Sequence, residues 1–244
     1  VFDFGGGTLD VSLVDCFDNI IEIIAVSGDN RLGGSDFDEE IARQFCKEND
    51  LDFDSLSPQR RGVILDSACR AKCVLSEKKD VTMQVTDGEF RGQMELNNKK
   101  LIEISMPLFQ RMSVPVKKVV NDGKKDMLEV SKTVLVGGSC KMPAVKQYLR
   151  HLLSECRILA MNPDYMVALG AGTYAGIKER KEDIKDLLLT DICPFTLGTG
   201  IFNERDAKHL LMSAIIERNS VLPCSRTERF QTVKDYQKNV SVNV

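Results

Sequence analysis

Three consecutive glycines set between two apolar strands constrain this chain more than any other feature. Residues 1–27 carry three apolar or alternating stretches, V-F-D-F, L-D-V-S-L-V and I-I-E-I-I-A-V. Such stretches read as a β-meander, with Gly5, Gly6 and Gly7 as its first turn. Consecutive glycines permit positive φ, so successive N–H groups can converge on an anion. Asp3 stands just before the turn, where a carboxylate could hold metal-bound water. Thr8 and Asp10 project to one side, because side chains alternate along a strand. Phosphate-cradling glycines flanked by two acids suit Mg-nucleotide chemistry, which depends mainly on positioning and electrostatics. A tight hairpin carrying solvated acids is the competing reading of the same stretch.

The segments that follow alternate between helix and strand. Gly28 to Gly34 is an expected loop, with Ser35 or Asp36 capping a helix over 37–49. Ser57-Pro58 signals a cap and first helical residue, opening a long helix to about Leu75. A hairpin is expected from 81–85 and 90–96, with Asp87-Gly88 at its turn. A helix over 102–120, interrupted near Pro115, precedes a buried strand at 133–136 and a helix from about Pro143. Asn162-Pro163-Asp164 opens another helix, whose alanines and glycines predict close packing. This order indicates an α/β or mixed-sheet domain. A charged stretch over 178–185 then breaks the pattern. Beyond it come short alternating strands and no long helix, so a domain boundary is expected near residue 180. About 50 residues would remain, marginal for an independent all-β domain.

Composition narrows the class. A chain of 244 residues suits one large or two smaller domains. Its net charge of −3 gives no reason to expect nucleic acid or an anionic membrane as the main partner. No apolar run approaches the roughly 18 residues needed to span a bilayer, and no signal peptide is evident. The eight cysteines contain no CxxC pair, which favours reduced thiols and a cytoplasmic setting over a disulfide framework or a zinc ribbon. Cys69 and Cys73, at i,i+4 on the expected helix, could share a metal, but no third or fourth ligand is evident. Both ends read as strand interior, so the chain is expected to be an internal piece of a longer one.

Further candidate positions are spread along the chain. Gly33 and Gly34 open a helix, where backbone N–H groups can meet a phosphate; a plain loop-to-helix cap is the alternative. Cys69, Lys72, Cys73 and Ser76 share one helical face, while Ile64, Ala68, Ala71 and Leu75 form a more apolar one. The first face could read a ribose or base, or could simply be solvated. Val134-Leu135-Val136-Gly137-Gly138-Ser139 is a buried strand ending in two glycines before a helix, a geometry that permits close approach of a nucleotide. Asp164 is either a ligand or a capping acid.

Taken in order, D-F-G-G-G-T-L-D-V-S-L, G-D-N-R-L-G-G-S-D-F-D, A-C-R-A-K-C-V-L-S, V-L-V-G-G-S-C-K-M-P and N-P-D-Y-M-V-A-L-G-A resemble the 70-kilodalton heat-shock chaperone (DnaK-like) family. So do D-L-L-L-T-D and I-I-E-R-N-S-V-L-P, and the resemblance extends over essentially the whole chain. It implies an actin-like (ribonuclease-H-like) ATPase second lobe in residues 1–180 and an interdomain linker in 181–191. Residues 192–244 would begin an all-β peptide-binding sandwich.

By the same resemblance, Asp3 and Asp10 would organise Mg²⁺ through water. Gly5, Gly6, Gly7 and Thr8 would bind the phosphates of ATP or ADP, with Asp3, Thr8 and Asp10 as the catalytic set. Gly33 and Gly34 would line the cleft, Lys72 and Ser76 would contact adenosine, and Gly137, Gly138, Ser139, Lys141 and Asp164 would flank the nucleotide. Leu187, Leu188 and Leu189 would form the coupling linker. Met212 and Asn239 would arch over the peptide, the former match requiring a short insertion near 203–208.

Implied partners are extended apolar peptides, a J-domain co-chaperone and a nucleotide exchange factor, with no nucleic acid and no membrane. Cys69 and Cys73 stand where the family usually has an acid and an arginine. Loss of a guanidinium over adenine removes a stacking contact of about 1 kcal/mol. The family's first phosphate loop and catalytic lysine have no counterpart in these residues. The implied function is therefore part of an ATP-dependent chaperone; a divergent non-catalytic interaction or regulatory module is the alternative. A sugar kinase of similar fold fits poorly with the leucine linker and the strands after it.

Overall fold

The computed structural model describes residues 1–88, 90–153, 156–159, 161–179, 187–203 and 209–243. The chain divides into two compact units, Val1–Ser12 with Ser27–Lys185, and Leu13–Val26 with Asp186–Val244.

The first unit is α/β. Strand β1 (Phe2–Phe4) pairs antiparallel with β2 (Leu9–Phe17) and parallel with β6 (Lys132–Val136), which pairs parallel with β7 (Arg157–Leu159). Alternation along β1 buries Phe2 and Phe4 and turns Asp3 away from the core. Helix α1 (Gly34–Glu48) places Phe37, Ile41 and Phe45 at i, i+4 and i+8, all fully buried. An aromatic series then links the elements. Phe4 meets Phe37 at 6.0 Å between ring centroids and Phe37 meets Phe109 at 5.3 Å, both edge to face, and Phe109 meets Tyr148 at 5.1 Å. Phe109 belongs to α4 (Met106–Asp122) and Tyr148 to α5 (Pro143–Leu152). Burial of each phenylalanine ring in the series contributes about 1.5–3 kcal/mol, and the series ties β1 through Phe37 to α4 and α5.

The expected meander continues into β3 (Ile20–Asp29), and the 87–88 turn closes the hairpin of β4 (Asp80–Asp87) and β5 (Phe90–Asn97) with Gly88 at φ 61°. Helix α2 (Pro58–Val74) starts where Ser57 accepts from the Arg60 N–H at 3.3 Å. Three expectations fail. Helix α1 begins at Gly34 rather than Phe37, because Asp36 lies within its first turn and its carboxylate accepts from the Gly33 N–H at 2.7 Å. The break in the 102–120 region falls at Ser105, between α3 (Asn98–Ile104) and α4, while Pro115 sits inside an uninterrupted helix. Pro107 explains the position: it has no N–H and suits the first turn of a new helix. Helix α6 (Met166–Lys178) is not closely packed; Val167 and Leu169 are exposed, and only Gly176 of its residues is buried. Strand β7, too short for a periodic signal, was not expected at all.

In the second unit, β8 (Leu188–Ile192) lies parallel to β3, with Leu188 opposite Ile20 and Leu189 opposite Ile21. Strand β11 (Val221–Leu222) pairs antiparallel with β8. Strands β9 (Leu197–Ile201) and β10 (Leu211–Ile216) form a two-stranded sheet. Residues 240–243 are not strand, against expectation, although the Gly200 N–H donates to the Asn243 carbonyl at 3.3 Å. The described strands of this unit thus belong to two separate sheets, β8 and β11 beside β3 in one and the β9–β10 pair in the other. Residues 181–186 of the expected linker and boundary, and 204–208 of the expected insertion, lie outside the described residues. No helix among the described residues is long and apolar enough to cross a membrane.

Candidate functional site

Strand pairing within the first unit sets two carboxylates side by side. Asp3 and Asp10 are register partners across β1 and β2. Like charges opposite one another in a sheet are unfavourable. Burial, together with the neighbouring Asp10 charge, pushes the Asp3 carboxyl above its ordinary range. Such a pair is a poor structural device and a good place for a cation. Among the described residues no three His, Cys, Asp or Glu side chains cluster as metal ligands. A divalent ion held by these two acids would keep most of its water ligands, as Mg²⁺ commonly does.

The glycine turn between the acids is shaped differently from the expectation. None of Gly5, Gly6 and Gly7 has positive φ; among the described glycines only Gly88 and Gly137 do. Nor is the turn crowded at its own glycines: a Cβ on Gly6 or Gly7 would meet nothing within 4 Å, and one on Gly5 only an ordinary contact with the Thr8 carbonyl at 3.7 Å. The Gly5 N–H donates to the Thr8 carbonyl at 3.0 Å, closing the turn. The start of α1 then packs directly against it. The Gly34 N–H donates to Gly5 O at 3.0 Å and the Ser35 N–H to Gly6 O at 2.8 Å. A Cβ on Gly33 would stand 2.3 Å from Gly7 N and 2.4 Å from Gly6 O, a contact with backbone that cannot move aside. The first and second glycine motifs are thus one cradle.

The third glycine motif joins them. Gly137 ends β6 at φ 86°, and a Cβ there would lie 2.4 Å from the Phe4 carbonyl oxygen. Its left-handed conformation favours glycine, and the lack of a side chain permits the approach. From the turn that follows, the Ser139 hydroxyl donates to Gly5 O at 2.7 Å. The Gly137 N–H donates to the Pro163 carbonyl at 3.1 Å, which brings Asp164 beside Gly138. There Asp164 pairs with Lys141, and the bond raises the Lys141 pKa.

Lys72 is positioned otherwise than its helical face suggested. It is 7% exposed, with its ammonium 2.5 Å from Gly34 O and 2.8 Å from the Asp38 carboxylate. Burial pushes the Asp38 carboxyl up, opposed by Lys72 and by a hydrogen bond involving Cys69. The lysine therefore braces the cradle from inside. On the same helix Cys69 is half-buried and Cys73 exposed, and Ser76 lies in the turn just past its end. Leu187 is half-buried, Leu188 and Leu189 are exposed in or beside β8, Met212 is exposed opposite Gly200, and Asn239 is exposed. These last five belong to the second unit and are not among the residues gathered at the cradle.

Two further residues escaped the sequence reading as site members. A Cβ on Gly28 would fall 2.6 Å from the Leu9 carbonyl and 2.8 Å from an Asp10 carboxylate oxygen. Asp38 interrupts the apolar face of α1 beside Phe37, a signal visible in the helical pattern. The cradle offers backbone atoms of three glycine-rich segments, two unneutralised acids and a hydroxyl within one short span. That combination can bind a phosphorylated ligand with a hydrated divalent cation.

Comparison with known proteins supports the family resemblance along the whole chain. A family model described as Hsp70 protein matches residues 1–244. The chaperone protein DnaK of Deinococcus radiodurans is 33% identical over 258 aligned residues, spanning all of this chain and 40% of that protein. The chaperone protein dnaK of Thalassiosira pseudonana is 34% identical over 256, with 41% of its length covered. The chloroplastic heat shock 70 kDa protein 7 of Arabidopsis thaliana is likewise 34% identical over 256, with 34% covered. The chain thus spans well under half the length of these curated relatives.

Proposed function

This chain belongs to the Hsp70 protein family, and from that premise we propose that it forms part of an ATP-dependent chaperone for exposed apolar peptide segments. The observation that carries the reading is the convergence of three glycine-rich segments on the Asp3–Asp10 pair. In the intact protein, Gly5, Gly6, Gly7 and Thr8 would hold the phosphates of ATP or ADP, with Gly33, Gly34, Gly137, Gly138 and Ser139 closing the cradle. Asp3 and Asp10 would hold Mg²⁺ through water, and the ion would neutralise phosphate charge. Lys141 and Asp164 would border the nucleotide, and Ser76 would reach adenosine. Lys72 would contact adenosine from a position in which its ammonium also holds Gly34 O and Asp38, and those two contacts support a bracing role beside the ligand.

The pairing of β8 with β3 supports a coupling role for Leu187, Leu188 and Leu189. A strand held by few backbone bonds and exposing two leucines can exchange partners between nucleotide states. The β9–β10 sheet would begin the peptide-binding sandwich, with Met212 and Asn239 at the peptide. A J-domain co-chaperone and an exchange factor complete the proposed partners, and the cytoplasm is the proposed compartment. The thiols of Cys69 and Cys73, in place of an acid and an arginine, favour a second reading as a non-catalytic interaction or regulatory module.

Asp10→Asn separates the two. In the intact protein the variant should fold normally and lose Mg-dependent ATP hydrolysis by about a hundredfold, the scale of removing one preorganised electrostatic element. Wild-type protein that shows no ATP hydrolysis supports the second reading. A variant that hydrolyses ATP at the wild-type rate contradicts the assigned site.

A further inference from the structure

We propose that Cys69 and Cys73 are a peroxide-sensitive dithiol, and that closing it to a disulfide loosens the glycine cradle through Lys72. The two thiols sit one turn apart on the same side of α2, close enough to bear on one another. Cys73 is exposed and Cys69 half-buried, so an oxidant meets Cys73 first. The Lys141 ammonium lies within electrostatic reach of Cys73, while Cys69 is in contact with Asp38. Cys46 and Cys140 are buried in the core, and burial pushes the Cys140 thiol up to about 12, so neither competes.

Helical geometry places Cα atoms four residues apart at about 6 Å, inside the roughly 4.4–6.8 Å that a disulfide spans. The Cβ atoms, about 5–6 Å apart in a regular helix, must close to about 3.5–4.5 Å. That adjustment falls on the last turn, because α2 ends at Val74, and helix ends yield most readily. Lys72 stands between the two cysteines in that turn. Its ammonium holds Gly34 O and Asp38, and Gly34 and Ser35 in turn donate to the Gly5 and Gly6 carbonyls. Reshaping the turn therefore withdraws the brace under the cradle.

The chemistry balances with hydrogen peroxide as oxidant. The Cys73 sulfur attacks one peroxide oxygen, the O–O bond breaks, and one water leaves a sulfenic acid behind. The Cys69 sulfur then attacks that sulfur, forming the S–S bond and releasing the second oxygen as water. Two thiols lose two electrons and two protons in all, and one peroxide is reduced to two waters.

Trypsin makes the test direct, because it cuts after Arg70 and Lys72 and so separates the cysteines unless they are joined. Intact protein treated with hydrogen peroxide, alkylated and digested should yield residues 62–70 linked to residues 73–78. The linked species should vanish with dithiothreitol and be absent from Cys69→Ser and Cys73→Ser, both mild changes. Oxidised wild type should also show several-fold faster hydrogen exchange at the Gly34 and Ser35 amides, with neither single variant responding. Recovery of the two peptides unlinked, with Cys73 alone oxidised, overturns the dithiol. A linked pair without faster exchange overturns its connection to the cradle.

Discussion

The two units use apolar side chains in opposite ways. In the first, Phe2, Phe4, Phe37, Phe45 and Phe109 are essentially inaccessible; Phe2, Phe4, Phe37 and Phe109 meet in series, ring edge to ring face or tilted, and Phe45 meets Phe90. In the second, Phe195, Leu197, Leu211, Met212 and Val221 stand at least 42% exposed on or beside short strands. A packed core can hold backbone loops in one arrangement, which a phosphate cradle requires. Strands whose apolar residues remain open are free to take new partners, as the proposed linker and peptide-binding region would have to do. Rigidity and availability are thus divided between the units by packing rather than by composition.

The sharpest way to break that comparison is to truncate one side chain in each unit. Phe37→Ala, at a fully buried ring, should destabilise the first unit by about 3–5 kcal/mol. Leu188→Ala, at a residue 53% exposed, should change stability by less than about 0.5 kcal/mol. Urea unfolding followed by hydrogen exchange in each unit would check both, and equal losses would remove the contrast.

Gly33→Ala sharpens the meaning of rigidity. The added methyl meets Gly6 and Gly7 backbone, so a destabilisation of about 1–3 kcal/mol is expected. Nucleotide affinity should fall with it. A variant as stable as wild type would mean that the cradle yields, and the first unit would lose its claim to a fixed site.

The smallest effect concerns Asp3, with a sign opposite to the other two. Because its pKa in the folded protein is raised above 3.8, the folded state binds this proton more tightly than the unfolded state. Below pH 3.8 the group is protonated in both states and its stabilising share is fully present. As pH rises through the folded-state value that share is lost. Asp3→Asn removes the loss, so without Mg²⁺ its Tm should match wild type at low pH and exceed it at neutral pH. Thermal unfolding across that range would check the sign, and a variant less stable at pH 7 would show that the Asp3–Asp10 pair is not strained.

Much of this was legible beforehand. The meander, the Ser57-Pro58 start of α2, the 87–88 hairpin turn and strand β6 carry local signals, because caps, turn glycines and period-2 alternation act over a few residues. The break at Ser105 was missed because Pro115 is the louder signal, and a proline on the buried face of a helix that is otherwise well packed need not interrupt it. Helix α6 misled for the converse reason: small residues permit close packing but do not supply the neighbour. Most residues that meet at the cradle are candidates the sequence offers; Gly28 and Asp38 are not among them.

By itself the sequence determined the family, the order of strands, glycine turns and helices, and the placing of Asp3 and Asp10 on either side of a turn. Those follow from short-range chemistry. Only the tertiary structure decided that the Gly5–Gly7 turn forms without positive φ, that Gly33 is where a side chain would collide with it, and that Lys72 turns inward to Asp38 and Gly34. Each of these depends on which segments meet at van der Waals distance. Contacts of residues far apart in the chain are settled by packing the whole unit, not by local pattern.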